Sequence, residues 1–78
     1  MTYTLKTTKT FDDWLKSLKD LRAYATIQRR LDRVEAGNLG DHKSVGDGIS
    51  EMRIHVGAGY RLYYTLHGRE VVFLLVGG

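Results

Sequence analysis

The sequence predicts a small α+β domain in which a helical hairpin packs on an antiparallel sheet, in the order β-α-α-β-β-β. Apolar residues recur at helical spacing through residues 11–34, Gly37 ends that pattern, and from Ile49 onward apolar and polar residues alternate. The chain has 78 residues, which is the size of one small domain, so we assign residues 1–78 to a single domain.

The N-terminal residues alternate, with Tyr3 and Leu5 on one face, and predict a short first strand. Thr10 is a suitable N-cap for the helix that follows, because Asp13 stands three residues later, as in a capping box. The first helix is expected to end near Asp20. Its apolar residues at helical spacing are Phe11, Trp14, Leu15 and Leu18.

A second helix has an apolar stripe on one side and arginines on the other. Gly37 is placed to end this helix, because glycine accepts the left-handed conformation that follows many helix C-termini. An outer face of this kind is typical of a solvated helix. The stripe comprises Ala23, Ile27, Leu31 and Val34, and the outer face comprises Arg22, Gln28, Arg29, Arg30 and Arg33.

The second half of the chain predicts one loop and three strands. Residues 37–48 are rich in Gly, Asp and Asn and are expected to form a loop. Two alternating segments follow, joined by a tight turn at residues 57–59, and the apolar run 71–76 is typical of a central strand. The apolar face of the sheet is expected to comprise Met52, Ile54, Val56, Leu62 and Tyr64. The predicted core includes Trp14, Leu18, Ile27, Leu31, Ile54, Leu62 and Leu74.

The composition excludes several classes of protein. Cysteine is absent, which rules out disulfides and thiolate metal sites, and no apolar run is long enough to span a membrane. The N-terminus has no apolar signal-peptide core, so we expect a cytoplasmic protein. The net charge is +3 and the pI is about 9.4, which fits contact with nucleic acid or an acidic partner, but equally a charge that serves only solubility.

Polar residues on the non-core face of the sheet form a candidate RNA site. Arg53 and His55 alternate on one strand, and Arg61 and Tyr63 on the next, so the four side chains can be neighbours. Arginine binds phosphate, tyrosine stacks on unpaired bases, and histidine transfers protons near neutral pH. Lys43 is a further candidate for RNA contact. The alternative is that these residues are only the solvent face of a two-layer domain.

We expect no metal and no cofactor at this site. The three histidines show no ligand spacing, and the acids do not cluster near them. Such a patch can cleave RNA without metal if the substrate's own 2′-hydroxyl attacks the adjacent phosphate. The protein then has to move protons and stabilise the charge that develops on the phosphoryl oxygens.

The sequence resembles the RelE/ParE superfamily of toxins from type II toxin–antitoxin systems, and within it the HigB-like, phage-related branch. The resemblance covers nearly the whole chain, and its most specific part joins a Glu-x-Arg strand to a Gly-Tyr-Arg block. The matching segments are residues 11–20, 30–41, 45–55, 57–64 and 74–78.

The resemblance implies the same fold and an activity. Many relatives cut mRNA in the ribosomal A site as endoribonucleases (mRNA interferases) and are neutralised by an antitoxin, typically of the helix-turn-helix type. Arg61 matches the sheet arginine of the family best, and Arg53 and His55 match positions that carry basic residues in relatives. Two alternatives remain: a ParE-type poison of DNA gyrase, and a non-catalytic remnant that binds antitoxin.

The resemblance also indicates a departure after the glycine pair Gly77–Gly78. Relatives usually continue with a lysine-containing turn and a C-terminal helix or tail that often supplies catalytic or RNA-contacting side chains. We therefore expect a C-terminally truncated, decayed or short form, which binds antitoxin but cleaves weakly or not at all. Apolar surface near the last strand should then be covered by an antitoxin or by a second copy of the chain.

Overall fold

Two amphipathic helices cover one face of a five-stranded sheet in the computed structural model, which describes residues 2–77. This is the predicted α+β class, with the helical hairpin on the sheet. The strands lie in the order β1-β5-β4-β3-β2. The elements are β1 (Thr4–Thr7), α1 (Lys9–Ser17), α2 (Leu21–Glu35), β2 (His42–Gly46), β3 (Ile49–Ile54), β4 (Tyr60–His67) and β5 (Glu70–Gly77).

The sheet is mixed and not wholly antiparallel. β2, β3, β4 and β5 form an antiparallel meander, but β1 pairs with β5 in parallel, with Thr4 opposite Glu70 and Thr7 opposite Phe73. The direction of β1 depends on how the two helices cross the sheet. An alternating pattern contains no information about strand direction, so the sequence did not reveal the parallel pair.

The segment predicted as a loop contains the edge strand β2. Asp47 (φ 55°) and Gly48 (φ 75°) join β2 to β3 in a two-residue turn with both residues in the left-handed region. This is the type I′ hairpin geometry that Asp-Gly favours. Every residue of β2 is exposed, so the strand has no alternation of apolar and polar residues from which it could be predicted.

The helix ends are fixed by local hydrogen bonds. α1 begins one turn's fraction earlier than predicted, because Thr8 and not Thr10 is its N-cap and accepts a hydrogen bond from Phe11 N at 3.2 Å. The Asp20 side chain caps α2. Gly37 follows α2 with φ 107°, which confirms the predicted glycine stop.

The core lies between the helices and the sheet. Trp14 and Leu18 are partly buried against it, as predicted, but Leu74 is not a core residue. A bulge between Tyr63 and Tyr64 shifts the register so that Phe73 lies opposite Tyr64 and enters the core instead. The buried core cluster comprises Phe11, Ile27, Leu31, Val34, Met52, Ile54, Leu62, Tyr64, Val71 and Phe73.

The predicted turn at Gly77–Gly78 is only partly within the structure. Gly77 is the last residue of β5, and Gly78 lies outside the described residues. Within residues 2–77, neither helix has the length and apolar character needed to cross a bilayer.

Candidate nucleic-acid interface

The face of the sheet opposite to the helices, which we call the open face, brings two arginines directly together. Arg53 on β3 and Arg61 on β4 are register partners, while their neighbours Ile54 and Leu62 are buried in the core. Arg61 is exposed and Arg53 is half-buried. Like charges directly opposite on a sheet are destabilising, so this pair suits a surface that meets an anion.

A buried carboxylate holds one of these arginines. Glu51 is only 5% exposed although it lies on the open face. Its Oε1 accepts a hydrogen bond from Arg53 Nε at 3.0 Å and lies 3.9 Å from Lys43 Nζ. The Nε contact leaves the terminal nitrogens of the Arg53 guanidinium available to a ligand.

The remaining predicted residues extend this row across the sheet. Tyr63 on β4 is the register partner of Glu51 and is half-buried. Lys43 lies on β2, not in a loop, and is the register partner of Glu51 on its other side. Lys43, Glu51 and Tyr63 therefore form one row, next to the row of Arg53 and Arg61.

His55 does not project from the strand as predicted, because β3 ends at Ile54. Its Nε2 lies 3.0 Å from Asp41 Oδ2, in the segment before β2. Since a carboxylate only accepts, Nε2 donates and Nδ1 remains available for proton transfer. The hydrogen bond from His55 lowers the pKa of the Asp41 carboxyl below its ordinary value.

A cleft of about 410 Å³ joins the two arginines to His55 at the turn between β3 and β4. The cleft is large enough for a nucleotide-sized group. It brings together the three residues predicted as catalytic; Tyr63 and Lys43 lie on the open face beside it. Its lining comprises Arg53, Ile54, His55, Ala58, Gly59, Tyr60 and Arg61.

Two residues of the site were missed by sequence reasoning. Glu51 shares its face with Arg53 because alternate residues of a strand point the same way, so the signal was available in the Glu-x-Arg spacing. Asp41 carried no such signal, since it lies 14 residues from His55 in the chain. Within residues 2–77, histidines and acids form no group of three that could hold a metal ion.

Comparisons with known proteins place the chain in a family. A scan of known families finds no match. An uncharacterized protein of Haemophilus influenzae is 54% identical over 78 residues, which is 100% of this chain and 79% of that protein. The chain belongs to that protein's family.

Solved structures identify the fold of this family. The E. coli toxin RelE, as a mutant in the free state, matches with a TM-score of 0.77 and 20% identity over 99% of this chain and 83% of that chain. RelE in the intact E. coli RelBE toxin–antitoxin complex matches at 0.76 (20% identity, 96% and 94%). The RelE–RelB complex of Pyrococcus horikoshii matches at 0.71 (20% identity, 97% and 93%). The family therefore has the RelE fold.

Proposed function

We propose that the chain is the toxin of a type II toxin–antitoxin pair, of the HigB-like branch, and that it cleaves mRNA at the ribosome in the cytoplasm. The observation that carries this is the Arg53–Arg61 pair on the open face of a RelE fold. The arginines sit side by side where a phosphodiester would relieve their repulsion.

The proposed reaction uses the RNA's own 2′-hydroxyl. His55 Nδ1 takes the proton from that hydroxyl, and the 2′-oxygen attacks the adjacent phosphorus. The bond to the 5′-oxygen breaks, that oxygen takes a proton from water, and a 2′,3′-cyclic phosphate remains. Asp41 keeps the imidazole oriented through the 3.0 Å contact to Nε2. This route needs no metal and no cofactor.

Arg61 has the central role in this proposal. Its exposed guanidinium stabilises the extra charge on the phosphoryl oxygens, and Arg53 assists from the opposite strand. Tyr63 stacks on an unpaired base, and Lys43 contacts a phosphate further along the row. Leu75 is 47% exposed on the last strand, and we propose that the antitoxin, typically helix-turn-helix in this branch, or a second copy of the chain covers this region.

We predict that Arg61→Ala lowers the rate of ribosome-dependent mRNA cleavage by on the order of a hundredfold or more, because one preorganised donor to the developing charge is lost. The fold should persist, since the side chain is exposed. The measurement is cleavage of a ribosome-bound mRNA, with circular dichroism to check folding. The matched control is Arg69→Ala, in the exposed turn between β4 and β5.

The substrate tests the chemistry separately. A 2′-deoxy nucleotide at the cut site should block cleavage, because the attacking group is gone. Full activity of a folded Arg61→Ala protein, or cleavage of the 2′-deoxy substrate, would contradict the proposal. Growth inhibition without any RNA cleavage would instead favour the DNA gyrase alternative.

A further inference from the structure

A second basic cleft adjoins the first and is not used by the proposed chemistry. It has a volume of about 270 Å³ and lies between α2 and the end of β3. Ile54 and His55 line both clefts, so the two are continuous. The second cleft is lined by Thr26, Arg29, Arg30, Arg33, Ile54 and His55.

Arg29 and Arg33 supply the exposed charge of this cleft. Both lie on α2 four residues apart, so they stand on one side of the helix about one turn from each other. Within residues 2–77, neither forms an ion pair with a carboxylate, whereas Asp41 at the rim is already bound by His55. The charge of these two arginines is therefore available to a ligand.

Arg30 forms the floor of the cleft and holds it rigid. Its terminal nitrogens donate to Arg53 O at 2.8 Å, Asp41 O at 2.9 Å and Leu39 O at 3.1 Å. All three acceptors are neutral carbonyls, so no carboxylate among its hydrogen-bond partners balances the charge. Arg30 Nε is buried and has no hydrogen-bond partner.

The surroundings of Arg30 also disfavour its charge. Burial lowers the pKa of the Arg30 guanidinium, Asp41 opposes that shift, and the like charge of Arg33 adds to it. An anion in the cleft would offset both the burial and the repulsion. The second cleft is thus a preformed site for a negatively charged group.

We propose that the second cleft binds the phosphate backbone of single-stranded RNA, one or more nucleotides away from the phosphate held by Arg53 and Arg61. This inference rests on the proposed function, because it extends the same strand of RNA from the first cleft past His55 to α2. RNA is favoured over an acidic protein segment, since the track of arginines continues from one cleft to the other.

The test measures binding without ribosomes and without cleavage. The probe is a fluorescein-labelled, 2′-O-methyl RNA of roughly eight nucleotides, within the range that single-stranded binding sites cover. The full chain carrying Arg29→Gln and Arg33→Gln should bind it on the order of tenfold more weakly, because two charge-assisted contacts are lost. The slope of log K against log salt should become shallower by about one unit.

Two further variants control for charge and for folding. Arg22→Gln with Arg69→Gln removes the same net charge at exposed positions outside both clefts, and should leave the affinity and the salt slope close to the parent values. Arg29→Lys with Arg33→Lys keeps the charge and should restore most of the affinity. Thermal unfolding of each variant should match the parent, since Arg29 and Arg33 are exposed.

Three outcomes would overturn the inference. The first is unchanged RNA binding by the Arg29/Arg33 glutamine variant, and the second is an equal loss in the matched control. The third is loss of binding to a poly-glutamate peptide with RNA binding intact, which would assign the cleft to an acidic polypeptide. If Arg61→Ala abolishes cleavage while the glutamine variant binds RNA normally, the inference fails and the proposed function stands. If the glutamine variant loses RNA but Arg61→Ala still cleaves, the reverse holds.

Discussion

At the scale of single residues, Glu51 is an acid on a surface that we propose binds RNA. A carboxylate in that position repels phosphate unless it is covered and neutralised. Arg53 covers it at 3.0 Å, Lys43 stands at 3.9 Å, and the side chain is 6% exposed. We infer that Glu51 positions Arg53 and does not contact RNA itself.

This inference predicts a split between binding and turnover for Glu51→Gln. Loss of the negative charge should leave RNA affinity unchanged or tighter. The turnover rate should fall by roughly tenfold to a hundredfold, because a misplaced catalytic group is costly. Single-turnover cleavage on ribosomes and RNA binding measure the two effects.

Glu70→Gln is the matched control for Glu51→Gln. Glu70 also pairs with a lysine, Lys6 at 3.2 Å, but at an exposed site on the other side of the sheet. An exposed pair contributes little, so both readouts should stay at parent values. Weaker RNA binding at unchanged turnover in Glu51→Gln would contradict the positioning role.

At the scale of elements, the segment between α2 and β2 is fixed by a contact between a glycine and an arginine. Gly40 has φ 67°, and a Cβ there would lie 2.5 Å from Arg30 Nε. The guanidinium cannot move aside without losing its hydrogen bonds to the carbonyls of residues 39, 41 and 53. This contact therefore joins α2 to both the loop and the end of β3.

Gly40→Ala should lower the free energy of unfolding by about 2–4 kcal/mol, from the left-handed backbone together with lost Arg30 hydrogen bonds. Gly48→Ala separates these two causes. Gly48 has a similar φ of 75° but open space around the added carbon, so only the backbone term of about 1 kcal/mol applies. Denaturant unfolding of both variants measures the difference, and equal losses would show that the Arg30 contact is unimportant.

At the scale of the whole molecule, Phe11 links the helices to the sheet. It is fully buried and its ring centroid lies 5.4 Å from that of Phe73 and 6.2 Å from that of Trp14. A domain of this size buries a limited core, so each large side chain matters. The aromatic contacts of Phe11 join α1 to β5.

Phe11→Ala should lower the free energy of unfolding by roughly 3–5 kcal/mol, because a fully buried aromatic ring leaves a cavity. This is a large fraction of the stability of a small domain. Leu21→Ala is the control, since Leu21 is 80% exposed on α2 and its loss should change stability by less than about 0.5 kcal/mol. Urea unfolding at constant m-value checks both, and a folded, fully stable Phe11→Ala protein would contradict the core assignment.

The same three scales separate what was predictable from what was not. The apolar stripe of α2, the stop at Gly37 and the core face of β3 and β4 were predicted, because each follows from the spacing of neighbouring residues. The Arg53–Arg61 pair was predictable too, since a tight turn between two strands sets which residues face each other. The contacts of Arg30 with three carbonyls were not, because an arginine on the outer face of a helix is usually solvated.

The sequence by itself determined the α+β class, the helical hairpin and the side of the sheet on which the arginines stand. Local periodicity and turn chemistry are sufficient for these features. Only the tertiary structure decided the parallel pairing of β1 with β5, the exposed strand β2, the turn of His55 toward Asp41 and the continuity of the two basic clefts. Each of these joins residues far apart in the chain, and strand order and side-chain contacts at long range are set by packing, which a local pattern does not contain.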